Sequence, residues 1–155
     1  MKKTLIAFFL AAIPALTFAA QESQLALAEG DFAEQRAEIE EDLADGKTYA
    51  EISASDRAKV RETLERISSR LEGVDSIDTL GEPAKVEIFN DQELINTILT
   101  QAKADSRLVC DNSRATGSHR RTTKCQTVAE RRRRGMQDRD NLQQLQSRTP
   151  RLESN

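Results

Sequence analysis

Few side chains in this sequence are of the kinds that carry chemistry, and their spacing limits what they can do. There are two cysteines, Cys110 and Cys125, and one histidine, His119. Cysteines tied in a disulfide cannot ligate zinc, and one histidine alone does not build a metal site. Ser118 and His119 are adjacent, so on a strand they point to opposite faces and cannot act as nucleophile and base. The acidic run over residues 38–45 lacks the alternating ligands, central glycine and terminal glutamate of a calcium loop, and reads as a solvated helix face. No convergent acid, base and nucleophile can be assembled. No catalytic residue, metal ligand or cofactor is therefore assigned, and the protein is expected not to be an enzyme.

What remains is recognition, at two places. Cys110 and Cys125 enclose 14 residues, Asp111 to Lys124, and the midpoint of that loop falls between Gly117 and Ser118. Gly followed by Ser suits a two-residue type II′ hairpin turn, whose first position needs a positive φ. That register sets Cys110 opposite Cys125 and Asp111 opposite Lys124, with the cysteines at a hydrogen-bonded pair. A secreted chain with two cysteines oxidises them to each other. Closing a loop of this size contributes roughly 3 kcal/mol on chain entropy. Two readings of the clip stay open. It is a staple compensating for a thin core, or it displays Arg114, Thr116, Gly117, Ser118, His119, Arg120 and Arg121 to a partner.

The second place is Arg131, Arg132, Arg133 and Arg134. On a helix, four consecutive arginines spread positive charge around the axis at roughly 100° per residue, so no apolar stripe survives. Such a helix is solvated, lies against acidic helices, or contacts an anionic surface such as lipopolysaccharide phosphates, lipid or peptidoglycan carboxylates. Near an anionic membrane each arginine is worth about 1 kcal/mol. Nucleic acid is not expected as a partner, because no aromatic platform is interleaved with the basic residues.

The elements that would position these residues are marked by caps and stripes. Asp31 with Glu34 starts a helix that places Phe32, Ile39 and Leu43 on one face before Gly46. Ser53 with Asp56 starts a second, whose Val60, Leu64, Ile67 and Leu71 form a core-facing stripe closed by Gly73. Its Arg57, Arg61 and Arg66 alternate with Glu62 and Glu65 as a solvated face. After Gly81-Glu82-Pro83, the alternation over residues 85–89 predicts a short strand. Asn90 with Glu93 then caps a helix bearing Leu94, Ile95, Ile98, Leu99 and Ala102. Residues 107–110 read as another strand, and Thr127 with Glu130 caps a final charged helix. Residues 20–30 carry no strong pattern and are expected to fray.

Lys2 and Lys3, an apolar run from Leu5 to Leu16 broken by Pro14, and small residues around Ala19 form the pattern of a secretory signal peptide. The run is too short to span a bilayer. Cleavage near Ala19 removes two lysines and takes the formal net charge from −3 to −5. In the remaining chain Leu, Ile, Val and Phe make up about one fifth of residues, near the lower limit for a folded core. Residues 20–100 carry 8 basic and 20 acidic side chains, and residues 101–155 carry 13 basic and 6 acidic. An acidic segment thus precedes a basic one, and the two can attract each other. The expected organisation is a signal peptide over 1–19, an acidic helical segment over 20–48, a disulfide-stapled domain over 49–127 and a basic helix-prone or disordered tail over 128–155. The expected fold is small α+β: mainly α with a few short β-strands.

The stretches Asn90-Asp-Gln-Glu-Leu-Ile-Asn96, Asp105-Ser-Arg-Leu-Val-Cys110, Thr116-Gly-Ser-His-Arg120 and Cys125-Gln-Thr127 resemble a group of small exported proteins of Gram-negative bacteria. These share a Cys…Thr-Gly-Ser-(Arg/His)…Cys-x-Thr element followed by a charged, helix-prone tail. The resemblance runs from about Asp45 to about Glu130. It implies export, the disulfide and one small domain, and it implies no activity, ligand or catalytic residue. The sequence thus leads to a periplasmic, non-enzymatic protein acting through protein–protein contacts, with no transmembrane segment in the mature chain. The alternative is an envelope protein held to anionic surfaces by Arg114, Arg120, Arg121 and the four arginines at 131–134.

Overall fold

Helix α1 (Phe32–Ala44) starts where Asp31 supplies an acceptor: its Oδ1 takes the Ala33 N–H at 2.7 Å. Helix α2 (Ala54–Leu71) starts at Ser53, whose Oγ accepts the Asp56 N–H at 3.0 Å and donates to Asp56 Oδ2 at 2.7 Å. Such caps satisfy amide groups that the first helical turn leaves without partners. Gly46 and Gly73 follow the two helices at φ of 67° and 73°, where a side chain would be strained. The computed structural model describes residues 24–28, 30–74, 76–114 and 116–148, so the signal peptide expected over 1–19 lies outside them.

A single-turn 3₁₀ helix (Ile77–Thr79) leads to α3 (Glu82–Ser106), the longest element with 25 residues. This helix overturns two expectations. Residues 85–89 are its second turn rather than a strand, and Asn90 lies inside it rather than at its cap. Pro83 explains the earlier start: in the first helical turn its missing N–H needs no partner. The alternation of Lys85-Val86-Glu87-Ile88-Phe89 also fits a helix that buries one residue in five. Ile88 is fully buried, whereas Val86 and Phe89 are exposed.

Ile88, Ile95, Leu99 and Ala102 of α3 meet Val60, Leu64 and Ile67 of α2 and Ile39 and Leu43 of α1 in one core, with Tyr49 between them. Burial of apolar side chains of this size is worth about 1.5–3 kcal/mol each, before the entropy of ordering the chain. Arginines on α2 reach across to both neighbours instead of facing only solvent. Arg61 pairs with Glu40 at 2.9 Å, and Glu65 takes Arg36 at 2.7 Å. Arg66 grips both oxygens of Asp91, from Nε at 2.9 Å and from a terminal nitrogen at 2.7 Å.

The expected fraying at the N-terminus is corrected for residues 24–28. Leu25 and Leu27 belong to the core. The Leu25 N–H donates to Asn96 Oδ1 at 2.8 Å, and Asn96 Nδ2 donates back to the Leu25 carbonyl at 2.9 Å. Gln35 treats Ala26 in the same way, accepting at 2.6 Å and donating at 3.1 Å, while Gln92 Oε1 accepts from the Leu27 N–H at 3.0 Å. Side-chain amides of α1 and α3 thus take the place of a neighbouring β-strand, and the buried backbone of this strap is satisfied.

Strands β1 (Leu108–Arg114) and β2 (Arg121–Thr127) form a two-stranded antiparallel hairpin, and helix α4 (Val128–Arg148) follows without a break. Among the described residues, four α-helices and one hairpin make a mainly helical, small α+β fold. No helix among the described residues is long and apolar enough to cross a membrane.

Candidate functional site

The hairpin register agrees with the symmetry of the sequence. Cys110 pairs with Cys125, Asp111 with Lys124, and the last pair is Arg114 with Arg121. Cys110 and Cys125 form a disulfide. Their Cα atoms are 4.0 Å apart, which matches the narrow, non-hydrogen-bonded site of an antiparallel ladder rather than the wide site expected. The connection is also longer than a two-residue turn. Pairing stops at Arg114 and Arg121, and Gly117 occupies the loop at φ 83°, beside Ser118, whose Oγ accepts the Arg120 N–H at 3.2 Å.

Side chains alternate between the two faces of the ladder. One face carries Val109 and Gln126, both half-buried at the base where the hairpin leans on the helices. The other carries Leu108, the disulfide, Asn112 with Thr123, and Arg114 with Arg121, all exposed. Leu108 is the most exposed large apolar residue described, at 66%. Arg114, Arg120, Arg121 and Lys124 form no ion pair among the described residues. Thr116, Gly117, Ser118 and His119 are exposed as well. The structure therefore brings the predicted hairpin residues together on one projecting, cross-linked element.

It does not hold the four arginines of the tail together with them. The cap predicted at Thr127 forms in both directions: the Glu130 N–H donates to Thr127 Oγ1 at 3.0 Å, and the Thr127 N–H donates to Glu130 Oε2 at 3.2 Å. The Thr127 hydroxyl then donates to Glu51 Oε1 at 2.6 Å. Arg133 closes on the same carboxylate at 2.7 and 3.3 Å, and Arg132 grips Asp105 with two bonds of 2.9 and 3.0 Å. Bidentate pairs of this kind combine charge with fixed geometry. Arg131 and Arg134 form no ion pair among the described residues. Of the four arginines, two hold α4 to the body and two face solvent.

Electrostatics and geometry agree at this joint. The hydrogen bonds from Arg133 and then Thr127 hold the Glu51 carboxyl below its ordinary range. Those from Arg132 and Gln101 do the same for Asp105. Beneath the joint, the buried Ser106 Oγ accepts the Glu51 N–H at 2.9 Å and donates to the Ala102 carbonyl at 2.7 Å. Ala129 is buried and the Val128 N–H donates to the Arg107 carbonyl at 3.0 Å, so the hairpin's two ends are tied to each other at the root of α4. Glu51, Asp105 and Ser106, which anchor the root of α4, are residues that sequence reasoning missed. They lie far along the chain from Thr127 and Arg133, and no spacing rule connects them.

A cleft between the α1 start, the α2 end and Phe89 contains neither cysteine nor the histidine. Among the described residues no group of three His, Cys, Asp or Glu side chains is placed to hold a metal ion. No protein-family model, curated protein or solved structure matches the chain.

Proposed function

We propose that the protein is an exported, non-enzymatic interaction module in which the helical body serves as a mount for the disulfide-stapled hairpin. The observation that carries this reading is the solvent exposure of every described residue from 110 to 125. Many polar side chains of the body serve caps, the strap and the α4 joint, whereas Arg114, Arg120, Arg121 and Lys124 of the hairpin have no ion-pair partner among the described residues. A cross-linked hairpin offers its contact residues with little ordering cost on binding. The signal-peptide pattern and the disulfide support export to an oxidising compartment, the periplasm.

A photo-crosslinking residue at Thr123, on the exposed face, tests the reading in living cells, with Lys59 on α2 as the control. Discrete protein adducts from Thr123, absent from Lys59 and lost in C110S/C125S, are the expected result. Equal adducts from both positions, or none from Thr123, would overturn it. The envelope-binding alternative relies on Arg114, Arg120 and Arg121 of the hairpin as well as on the tail, and the engagement of Arg132 and Arg133 within the chain weakens its tail contribution. It predicts release of the protein from sedimented envelopes as salt rises, because arginine contacts to an anionic surface are screened.

A further inference from the structure

We propose that the hairpin's partner is a second copy of this chain, and that the exposed β1–β2 face docks on the acidic side of its helix α1. The inference rests on the reading of the hairpin as the contact element and names what it contacts.

The starting point is an electrostatic cost with no compensation inside the chain. Arg114 and Arg121 sit directly opposite each other on the last rung, with Arg120 beside them. Like charges in that relation are destabilising. No carboxylate of the described residues pairs with any of the three. A second cost, with the sign of the charges reversed, lies on α1. Glu34, Glu38 and Glu41 are exposed, form no ion pair among the described residues, and fall four and three positions apart on one side of the helix. Carboxylates so spaced repel each other. On α1, Arg36 pairs with Glu65 and Glu40 with Arg61, whereas this row has no such partner among the described residues.

The two surfaces also match in shape and in layout. The exposed Ala37 lies among Glu34, Glu38 and Glu41, so nothing bulky keeps a guanidinium from approaching the acidic row. The row spans about 10 Å of helix, from the rise per residue, and two arginines one strand apart fit within it. On the hairpin, Leu108 and the disulfide continue the same face toward the base, adding apolar contact behind the charged end. Within one chain no ion pair joins the two surfaces among the described residues, and the hairpin packs against α4 while α1 packs against α2. A second copy brings the complementary surface without any further component. The contact joins unlike surfaces, so it is head-to-tail and each added copy exposes both again. A hairpin face on one helix buries less than about 1,200 Å², which places the association among weak, transient ones.

Sedimentation velocity of the purified protein at about 20 mM and about 500 mM salt reads the association, since screening is weak at the first and strong at the second. The expected result is a sedimentation coefficient that rises with concentration at low salt and does not at high salt. Two charge reversals then assign the surfaces. R114E/R121E and E34K/E38K/E41K each weaken association by about tenfold or more when alone, because like charges now face each other. An equimolar mixture of the two restores it, and an unfolded variant could not. A wild-type protein that stays monomeric at low salt would overturn the inference. So would association that neither reversal weakens, or a mixture that does not recover. Adducts from Thr123 to a different protein, together with a monomeric wild type, would leave the interaction module standing and remove the self-partner alone.

Discussion

Arg133 reaches back 82 residues to grip the carboxylate of Glu51, donating from both terminal nitrogens at 2.7 and 3.3 Å. The pair joins the most basic stretch of the chain to the loop that precedes α2. Beyond it every described residue of α4 is exposed, so the helix is held by its first two turns only. A helical stretch of this length in water is marginal without such an anchor.

Removing the anchor is therefore expected to loosen the helix while sparing the body. In E51Q or R133Q the amides of α4 lose hydrogen-exchange protection, whereas those of α2 and α3 keep theirs. Thr127→Ala removes the cap and the bond to Glu51 together, and costs the α4 root about 1–2 kcal/mol. Unchanged exchange across α4 in all three variants would show that Ala129 and the Arg107–Val128 bond hold the helix alone.

Acid should act on the same joint. Glu51 and Asp105 both have pKa values lowered on folding, below ordinary values of 4.5 and 3.8. A lowered carboxyl pKa contributes stability that is complete above the ordinary value and is lost as pH falls through the folded one. Docking of α4 is thus constant from neutral pH to about 5 and weakens only in stronger acid. A titration of α4 exchange rates checks this, and a transition near neutral pH would contradict it.

The strap offers a separate measurement. Asn96→Ala removes one donor and one acceptor that serve a buried backbone, leaving both Leu25 groups without partners. The expected cost is about 2–4 kcal/mol in chemical denaturation. Asn96→Asp keeps the acceptor but not the donor, and is expected to recover only part of it.

The readable parts of the sequence were those in which neighbours in the chain act on each other. Asp31, Ser53 and Thr127 cap helices because each bonds an amide two or three residues on, and the α2 stripe is periodic. The hairpin register follows from a midpoint. The α3 start is hidden because five alternating residues satisfy both periods, and Pro83, which decides between them, suits a first helical turn as well as a break. The strap was invisible for a different reason. Its partners are the side-chain amides of Gln35, Gln92 and Asn96, which leave no pattern in residues 24–28 themselves. The division of the arginine run at the α4 joint likewise depends on Glu51 and Asp105, which only the fold brings near.

Reduction of the disulfide provides a fourth expectation. Both cysteines are exposed, and the buried core is drawn from the strap, α1, α2, α3 and Tyr49. The roughly 3 kcal/mol of chain-entropy stabilisation therefore falls on the hairpin rather than on the body. C110S/C125S is expected to keep the thermal midpoint of the helices within about 3 °C. The amides of β1 and β2 lose exchange protection in that variant. A collapse of the whole transition would mean that the clip holds the body together.

The strap has a consequence for the order of assembly. Leu25 is made early and its partner Asn96 is 71 residues later, so this contact closes one of the longest loops in the body. Until α3 has emerged and turned back, the Leu25 and Leu27 amides lack their acceptors, and only Gln35 of α1 is at hand to serve Ala26. A chain made leading end first therefore runs past more than half its length before the α3 side of this contact exists. The strap is thus closed late, when the third helix arrives.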